Sequence, residues 1–485
     1  MESKSSKSIK KNYIYNVCYQ VLLLITPLIT TPYLSRTLGA DGVGMVSFAE
    51  SIVSYFVLFA TFGMTTYGQR EVSYVQESKE QRTIIFWETK ALEVFTSCIA
   101  LLIYIPFAIC QENNVMYLVL VLNIVAVIAN VTWFFQGMEE FGKLVFRNVI
   151  FKIINIVYIF MFVKTRNDIT VYAFGLSFFT FLSNASLWLY LPKYIGMIKI
   201  KELHPFKNIE VVLSLFVPTI AVQVYTVLDK TMIGVITKSA FENGYYEQAN
   251  KISKMVLTIV TSLGTVMIPR IGFHYAKGET EKVNFFMYRA YHFVWFMAIP
   301  LCFGLLGIAP NFVPWFYGNY FERVVPLLRI SGFLVIAIGI NNVTGIQYFI
   351  PTKRQNLFTF TVAIGAVVNF ALNFVLIRFF QSIGAAVASV AAETVIALVQ
   401  IYFVKNELSP KKIFSTSWNY LIAGGLMLVV LEMMSRVLLP CFAHTLIMIF
   451  VGAVVYIGTL LIMRDSFLLV NSKAVISRLN KVVKR

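Results

Sequence analysis

From Tyr13 to Met463 the chain is a succession of apolar runs, most of them roughly 20 residues long. A helix rising about 1.5 Å per residue needs that length to cross a hydrocarbon layer about 30 Å thick. The runs are continuous rather than alternating, so helices and not a closed barrel satisfy the backbone. Of 485 residues 58% are hydrophobic and 13% charged, against about a quarter charged in a soluble domain. The expectation is an all-α polytopic membrane protein with fourteen spans, at 13–34, 45–67, 89–109, 115–135, 146–163, 169–191, 211–236, 251–272, 285–309, 327–350, 357–379, 383–404, 415–435 and 443–463.

The net charge of +17 is distributed like a topology signal and not like a nucleic-acid surface. With the N-terminus cytoplasmic, the inner loops and tails hold about 28 of the 41 Lys and Arg, and the outer loops about 10. Inner clusters are Lys4, Lys7, Lys10 and Lys11, then Lys193, Lys199, Lys201 and Lys207, then Lys405, Lys411 and Lys412, and the tail from Arg464 to Arg485. Both termini are therefore expected in the cytoplasm of a cell-membrane protein, with anionic lipid head groups as neighbours. The basic start leads into a full-length span with no small-residue cleavage site, so that span is expected to stay. Cys18, Cys98, Cys110, Cys302 and Cys441 have no ligand spacing and read as small apolar residues.

An internal repeat is visible. Asn130-Val131-Thr132 closes the fourth span and Asn342-Val343-Thr344 the tenth, 212 residues later. More weakly, GADGVGMVSFAESI after the first span parallels ENGYYEQANKISK after the seventh. The reading is two six-helix lobes, 1–205 and 206–410, followed by 411–485 with two further helices and a basic tail. Six spans per lobe keep one orientation, so the lobes are expected to be related by a pseudo-two-fold axis along the membrane normal, with the substrate held between them.

Ionisable groups within spans cost several kcal/mol and need a partner or a wet cavity. Asp229 and Lys230, in VYTVLDKTMIG, are adjacent and so about 100° apart around a helix, which turns each toward a different neighbour. They suit either an interhelical staple or cargo contact. Glu393, in AVASVAAETVIALVQ, lies deep among small residues; it is a candidate proton carrier or a hydrogen-bonded packing residue. Glu432 and Arg436 have the spacing of a local ion pair. Arg36 and Glu50 are placed to meet at an outer mouth; Lys152 sits one turn inside the fifth span, and Lys90 and Glu93 near the inner start of the third. Pro27, Pro32, Pro218, Pro269 and Pro300 mark possible kinks. The four histidines are scattered, and HExxH, metal spacing and GxxxxGK[ST] do not occur, so neither catalysis, a cofactor, a metal nor ATP hydrolysis is expected of this chain.

The stretch TPYLSRTLGADGVGMVSFAESIVSYFVLFATFGMTTYGQREVS, with VYTVLDKTMIG, GYYEQANKIS and VMIPRI, resembles the bacterial polysaccharide flippases of the Wzx type, which move O-antigen and capsule repeat units. These belong to the multidrug/oligosaccharidyl-lipid/polysaccharide (MOP) exporter superfamily. The resemblance spans essentially the whole chain. It implies two lobes around a central cavity and translocation of an undecaprenyl-pyrophosphate-linked oligosaccharide by alternating access, coupled to H+ or Na+. It also implies possible contact with polysaccharide polymerase machinery. By the same resemblance Asp229 and Lys230 are a family pair, and Arg70 and Arg270 are arginines at the inner mouth, chemically suited to phosphate. Gln223, with Asn123, Asn155, Asn369 and the 25 tyrosines, supplies groups that a sugar needs. Alternatives are another exporter of the superfamily, for lipid II or cationic drugs, and a membrane polymerase or ligase, for which the chain has no large outer loop.

Overall fold

The computed structural model describes residues 2–196, 203–262 and 264–469, and every regular element among them is helical. Lys199, Lys201 and the tail from residue 470 lie outside the described residues, as do the side chains of Lys4, Lys7, Lys10, Lys11, Cys18 and Pro218.

The helices are α1 (Glu2–Thr61), α2 (Met64–Tyr74), α3 (Lys79–Ile109), α4 (Asn114–Ala129), α5 (Thr132–Gly137), α6 (Phe141–Phe162), α7 (Ile169–Ser186), α8 (Ile209–Thr237) and α9 (Ala240–Thr261). They continue with α10 (Gly264–Ala276), α11 (Thr280–Tyr317), α12 (Val324–Asn341), α13 (Gln355–Phe380), α14 (Ser382–Val404), α15 (Pro410–Ser415), α16 (Ser417–Val437) and α17 (Phe442–Ile462). Among the described residues eleven stretches are long and apolar enough to cross a membrane. The first, Leu24–Tyr74, is 51 residues long, about 75 Å of helix, far more than one crossing uses. It is broken at Gly39 (φ 73°, ψ 177°), a backbone state that a residue with a Cβ rarely holds, and a Cβ there would also lie 2.7 Å from Asp41 Oδ1. The first two expected spans are thus the two arms of one broken helix. Proline does not make the break. α1 runs through Pro27 and Pro32, α10 through Pro269, and α11 through Pro300, Pro310 and Pro314.

By compactness the chain divides after Gly244. In the unit 1–244, α1 contributes Leu34, Leu38, Val46 and Val53 to a core shared with α3, α4, α6 and α7. Tyr104 at its centre is fully buried and donates to the Tyr117 carbonyl (2.9 Å). A separate aromatic layer of Phe86, Trp133, Phe134, Phe135 and Trp188 closes the other end, the belt that suits a membrane–water boundary.

In the unit 245–485, the 38-residue α11 is the spine, packed by α10, α12, α16 and α17. Tyr456 of α17 donates to the Phe296 carbonyl (2.9 Å). The local pair expected between Glu432 and Arg436 is not what forms. Glu432 Oε1 instead accepts from Arg329 Nη2 of α12, and Arg436 is exposed. Arg329 is held in place by the Leu306 carbonyl of α11 (3.0 Å), so a fixed cation from another helix competes against a flexible one on the same helix.

The two N-V-T triplets sit at equivalent irregularities. Asn130 leaves α4 with ψ 117°, and its side chain accepts from the Thr132 N–H (2.9 Å) to start α5. Asn342–Phe349 winds as a π-helix directly after α12, and Asn342 Oδ1 accepts from Gln347 Nε2 (2.9 Å). Each unit therefore loses its regular i to i−4 ladder at the same triplet, a kind of irregularity often found at functional positions.

Candidate functional site

The 1–244 unit brings together one group of the expected residues. The second arm of α1 carries Glu50, Ser51 and Tyr55, and α8 carries Asp229, Lys230 and Thr231. Thr231 Oγ1 joins them, lying 3.1 Å from both Ser51 Oγ and Tyr55 Oη. Asp229 is within electrostatic reach of the Tyr55 hydroxyl. Glu50, Asp229 and Lys230 are half-buried and each is engaged by other groups. One turn on, Asn243 of α9 bridges the Lys230 carbonyl (2.9 Å) and the Gly234 N–H (3.1 Å). The seam is tight because its glycines have no side chains. A Cβ on Gly234 would lie 2.2 Å from the Phe48 ring, one on Gly44 1.8 Å from the Ala240 carbonyl oxygen, and one on Gly244 1.9 Å from the Ala40 carbonyl oxygen. Ala40 and Gly44 face Ala240 and Gly244 reciprocally, small residues four apart on both helices, the pattern that lets membrane helices touch backbone to backbone.

The remaining expected residues are dispersed. Gln223 lies two turns earlier on α8, where its carbonyl accepts from Thr226 Oγ1 (2.9 Å). Arg36 is exposed, three residues before the Gly39 break, and Lys152 is half-buried on α6; both are engaged by other groups. Arg70 on α2 places Nε (3.0 Å) and Nη2 (2.8 Å) on Glu71 Oε1. In the 245–485 unit Arg270 is exposed on α10. Glu393 of α14 is hydrogen-bonded, as the packing reading of that residue requires. Asn341 Nδ2 donates to its carboxylate (2.5 Å) and to its carbonyl (3.0 Å). Nearby Asn373 donates to Asn369 (3.0 Å) and Gln400 to Thr361 (3.1 Å), a second buried polar layer.

Sequence reasoning noticed Lys90 and Glu93 but did not treat them as a site. They are 3% and 0% exposed and form an ion pair within α3. Lys90 Nζ also donates to the Asn130 carbonyl (2.7 Å) and lies 5.9 Å over the Trp188 ring. Arg147 of α6, also buried, reaches Thr132 (3.3 Å) and Asn148 (2.7 Å) on the far side of the triplet. The signal for the pair was its i, i+3 spacing inside an apolar run; its burial depends on α4 and Trp188, which are distant in sequence.

At the turn between α6 and α7, Asp168 Oδ2 accepts the N–H groups of Lys164 (2.8 Å) and Thr165 (2.7 Å), and these hold its carboxyl below the usual range. Arg166 from the same turn meets Asp41 (2.7 Å), just after the Gly39 break. Among the described residues there is no cluster of His, Cys, Asp and Glu able to hold a metal.

The site thus belongs to a helical membrane protein with polar seams and charged side chains inside its bundle. The profile of a family described as "Polysaccharide biosynthesis protein" matches residues 9–273, more than half of the chain, and the chain belongs to that family. It is similar to the "Putative O-antigen transporter" of Escherichia coli (strain K12), 23% identical over 82% of this chain and 97% of that one. The protein of the same name from Shigella dysenteriae is 22% identical over 82% of this chain and all of its own. Among solved structures, the lipid II flippase MurJ in an inward closed conformation matches with a TM-score of 0.71 at 16% identity, over 94% of this chain and 99% of that one. An inward-facing multidrug resistance transporter of the MATE family in the MOP superfamily matches with a TM-score of 0.62 at 14% identity, over 81% and 99%. The chain has the fold of these two solved transporters.

Proposed function

We propose that the protein is a flippase that moves undecaprenyl-pyrophosphate-linked oligosaccharide repeat units across the cytoplasmic membrane for surface polysaccharide synthesis. Both termini lie in the cytoplasm, and the motion is alternating access driven by an H+ or Na+ gradient. The observation that carries this reading is the family match combined with a whole-length likeness to a flippase of another lipid-linked saccharide. The physics of the cargo agrees. A sugar head cannot cross hydrocarbon unaided because each buried hydroxyl without a partner costs kcal/mol, whereas the polyprenyl tail is at home in the bilayer. A pathway with hydroxyls, amides and paired charges, of the kind lining α1 and α8, replaces water for the head group one contact at a time.

In this reading the lobes 1–205 and 206–410 rock against each other, with α16 and α17 of the 411–485 segment alongside. The reciprocal Ala40/Gly44 and Ala240/Gly244 crossing is the part that has to separate during the cycle. Asp229, Lys230, Glu50 and Gln223 serve the cargo path, Arg36, Lys152, Arg70 and Arg270 meet its phosphates at the mouths, and Glu393 is a candidate for the coupling ion. A strain lacking the protein is expected to accumulate lipid-linked repeat units on the cytoplasmic leaflet. Unchanged polymer export in that strain would refute the proposal. The MurJ likeness motivates a second reading, lipid II as cargo, which predicts rescue of cells depleted of their own lipid II flippase.

A further inference from the structure

We infer that Glu93, held against Lys90 inside the 1–244 unit, is a proton-binding site, and that the hydroxyls of Thr89 and Ser97 form the path by which the proton reaches it. This inference rests on the gradient-driven reading above and adds a site to it.

Three buried oxygens on one face of α3 have no hydrogen-bond partner: Thr89 Oγ1, Glu93 Oε1 and Ser97 Oγ. Their residues are 2%, 0% and 0% exposed and recur every fourth position, so they form one stripe. The other two threonine hydroxyls of this helix are partnered. Thr83 returns its hydroxyl to the Lys79 carbonyl (2.7 Å), and Thr96 gives its own to the Ala60 (2.6 Å) and Leu92 (3.2 Å) carbonyls. Thr89 and Ser97 keep theirs off the backbone, beside a carboxylate with a vacant oxygen. Successive members of the stripe are about 6 Å apart along the axis. One water hydrogen-bonded on both sides spans about 5.5 Å between oxygens. The stripe is therefore spaced for two waters and a carboxylate, a hydrogen-bonded file about 12 Å long. A single metal ion does not fit, because Thr89 and Ser97 are too far apart to share one.

The charges are arranged for a carboxylate that changes state while its partner does not. A proton binding at Oε1 converts the carboxylate to the acid and leaves Lys90 as an ammonium. That ammonium retains the Asn130 carbonyl, at the C-terminal end of α4 where cations are favoured, and the face of Trp188. Glu93 is the charged group acting on Lys90, and Lys90 on Glu93. The titratable and charged groups on the surrounding elements are engaged elsewhere. On α2, Tyr67 accepts from Asn208 (2.7 Å) and Arg70 holds Glu71; on α6, Arg147 holds Asn148 and Thr132; on α3 itself, Glu88 accepts from the His204 N–H (3.0 Å) and Arg82 reaches the Tyr194 carbonyl (3.2 Å). Neutralising Glu93 leaves the Lys90 ammonium to the Asn130 carbonyl, and Asn130 is the residue that breaks α4 from α5, so protonation acts directly on an irregular joint.

The test is infrared difference spectroscopy of the full-length protein reconstituted in liposomes, titrated between about pH 5 and about pH 9. It reads carboxyl protonation whether or not the protein moves glycans, so its failure is separate from failure of the flippase reading. A protonated-carboxyl band that titrates in the parent and in Glu393→Gln but is absent in Glu93→Gln supports the site. Superimposable titrations of parent and Glu93→Gln overturn it. Lys90→Met keeps the carboxyl and removes its counter-charge, so its band is expected to persist to a pH at least about one unit higher; an unmoved midpoint also overturns the site. In a pH-jump experiment Thr89→Val and Ser97→Ala are expected to slow protonation at least about tenfold while leaving the equilibrium midpoint in place. Unaltered rates in both refute the hydroxyl path.

Discussion

Adding one methyl group to Gly44 puts the packing of the α1–α9 crossing to a direct test. The Cβ of Gly44→Ala would lie 1.8 Å from the Ala240 carbonyl oxygen and 2.6 Å from the Gly244 nitrogen, both backbone atoms that cannot rotate away. An ordinary contact begins at 3.4 Å, so the helices have to part by about 1.6 Å at this point. Overpacking of this kind costs about 1–3 kcal/mol. If the crossing belongs to one of two alternating states, the same energy shifts their ratio by about 5- to 150-fold toward the other. Ser47 is one turn further along the same face and is 3% exposed. In a cysteine-free background Ser47→Cys is therefore expected to react slowly with a membrane-impermeant maleimide. Labelling should accelerate by at least about fivefold when Gly44→Ala is added. Gly244→Ala, whose Cβ meets the Ala40 carbonyl oxygen at 1.9 Å, should do the same from the other helix. If both variants fold with the parent's melting temperature and leave Ser47→Cys labelling unchanged, the crossing is not a close-packed contact and its place in the cycle falls with it.

Other substitutions separate structural from functional charges. Glu432→Ala is expected to lower thermal stability by less than about 1 kcal/mol, since the Arg329–Glu432 pair is more than one-third exposed on both sides, and Arg436→Ala should do nothing measurable in the same melting assay. Glu393→Gln preserves an acceptor for Asn341 and should melt like the parent; if Glu393 carries the coupling proton, repeat-unit translocation in that variant becomes insensitive to the pH gradient. Arg70→Ala releases Glu71 as well as a guanidinium, so the pair Arg70→Ala and Glu71→Gln distinguishes cargo contact from local pairing: only the first should weaken translocation. Asp168 holds its turn through a carboxylate whose folded pKa is depressed. Its contribution is present above the unfolded aspartate pKa and is lost as pH falls through the lower, folded value. Hydrogen exchange at Lys164 and Thr165 should accelerate across that window in the parent and be fast throughout in Asp168→Ala.

How far the sequence reaches can be judged residue by residue. The all-helical membrane fold follows from run length alone, because in lipid no other open structure satisfies the backbone. The N-V-T repeat was legible as a pattern and marks two points where the regular helix ladder is lost, α4 into α5 and α12 into its π-helical turn. The break within α1 was less legible. Five prolines drew attention, yet helices continue through Pro27, Pro32, Pro269 and Pro300, and α1 breaks at Gly39, where the backbone takes a positive φ. Glu432 shows a different limit. Its sequence neighbour Arg436 is one turn away and flexible, while Arg329 is about 100 residues distant and pinned to a carbonyl.

The same reasoning explains why Lys90 and Glu93 looked minor in sequence. Adjacent opposite charges three residues apart on a helix near the membrane surface ordinarily pair in solvent and contribute little. What changes their meaning is the loss of solvent, imposed by Trp188 and the end of α4, neither of which is near in sequence. Removing water from such a pair costs several kcal/mol per ion unless every oxygen and proton finds a partner. Here the ammonium is fully provided for and the carboxylate is not, with Glu93 Oε1 left open. A pair kept for stability alone gains nothing from that asymmetry, since an apolar replacement of the same size would serve the packing as well. Among the buried polar atoms without a partner in the described residues, Glu93 Oε1 is the only carboxylate oxygen, with the open hydroxyls of Thr89 and Ser97 one turn to either side, and that arrangement is the argument that the open oxygen has a visitor.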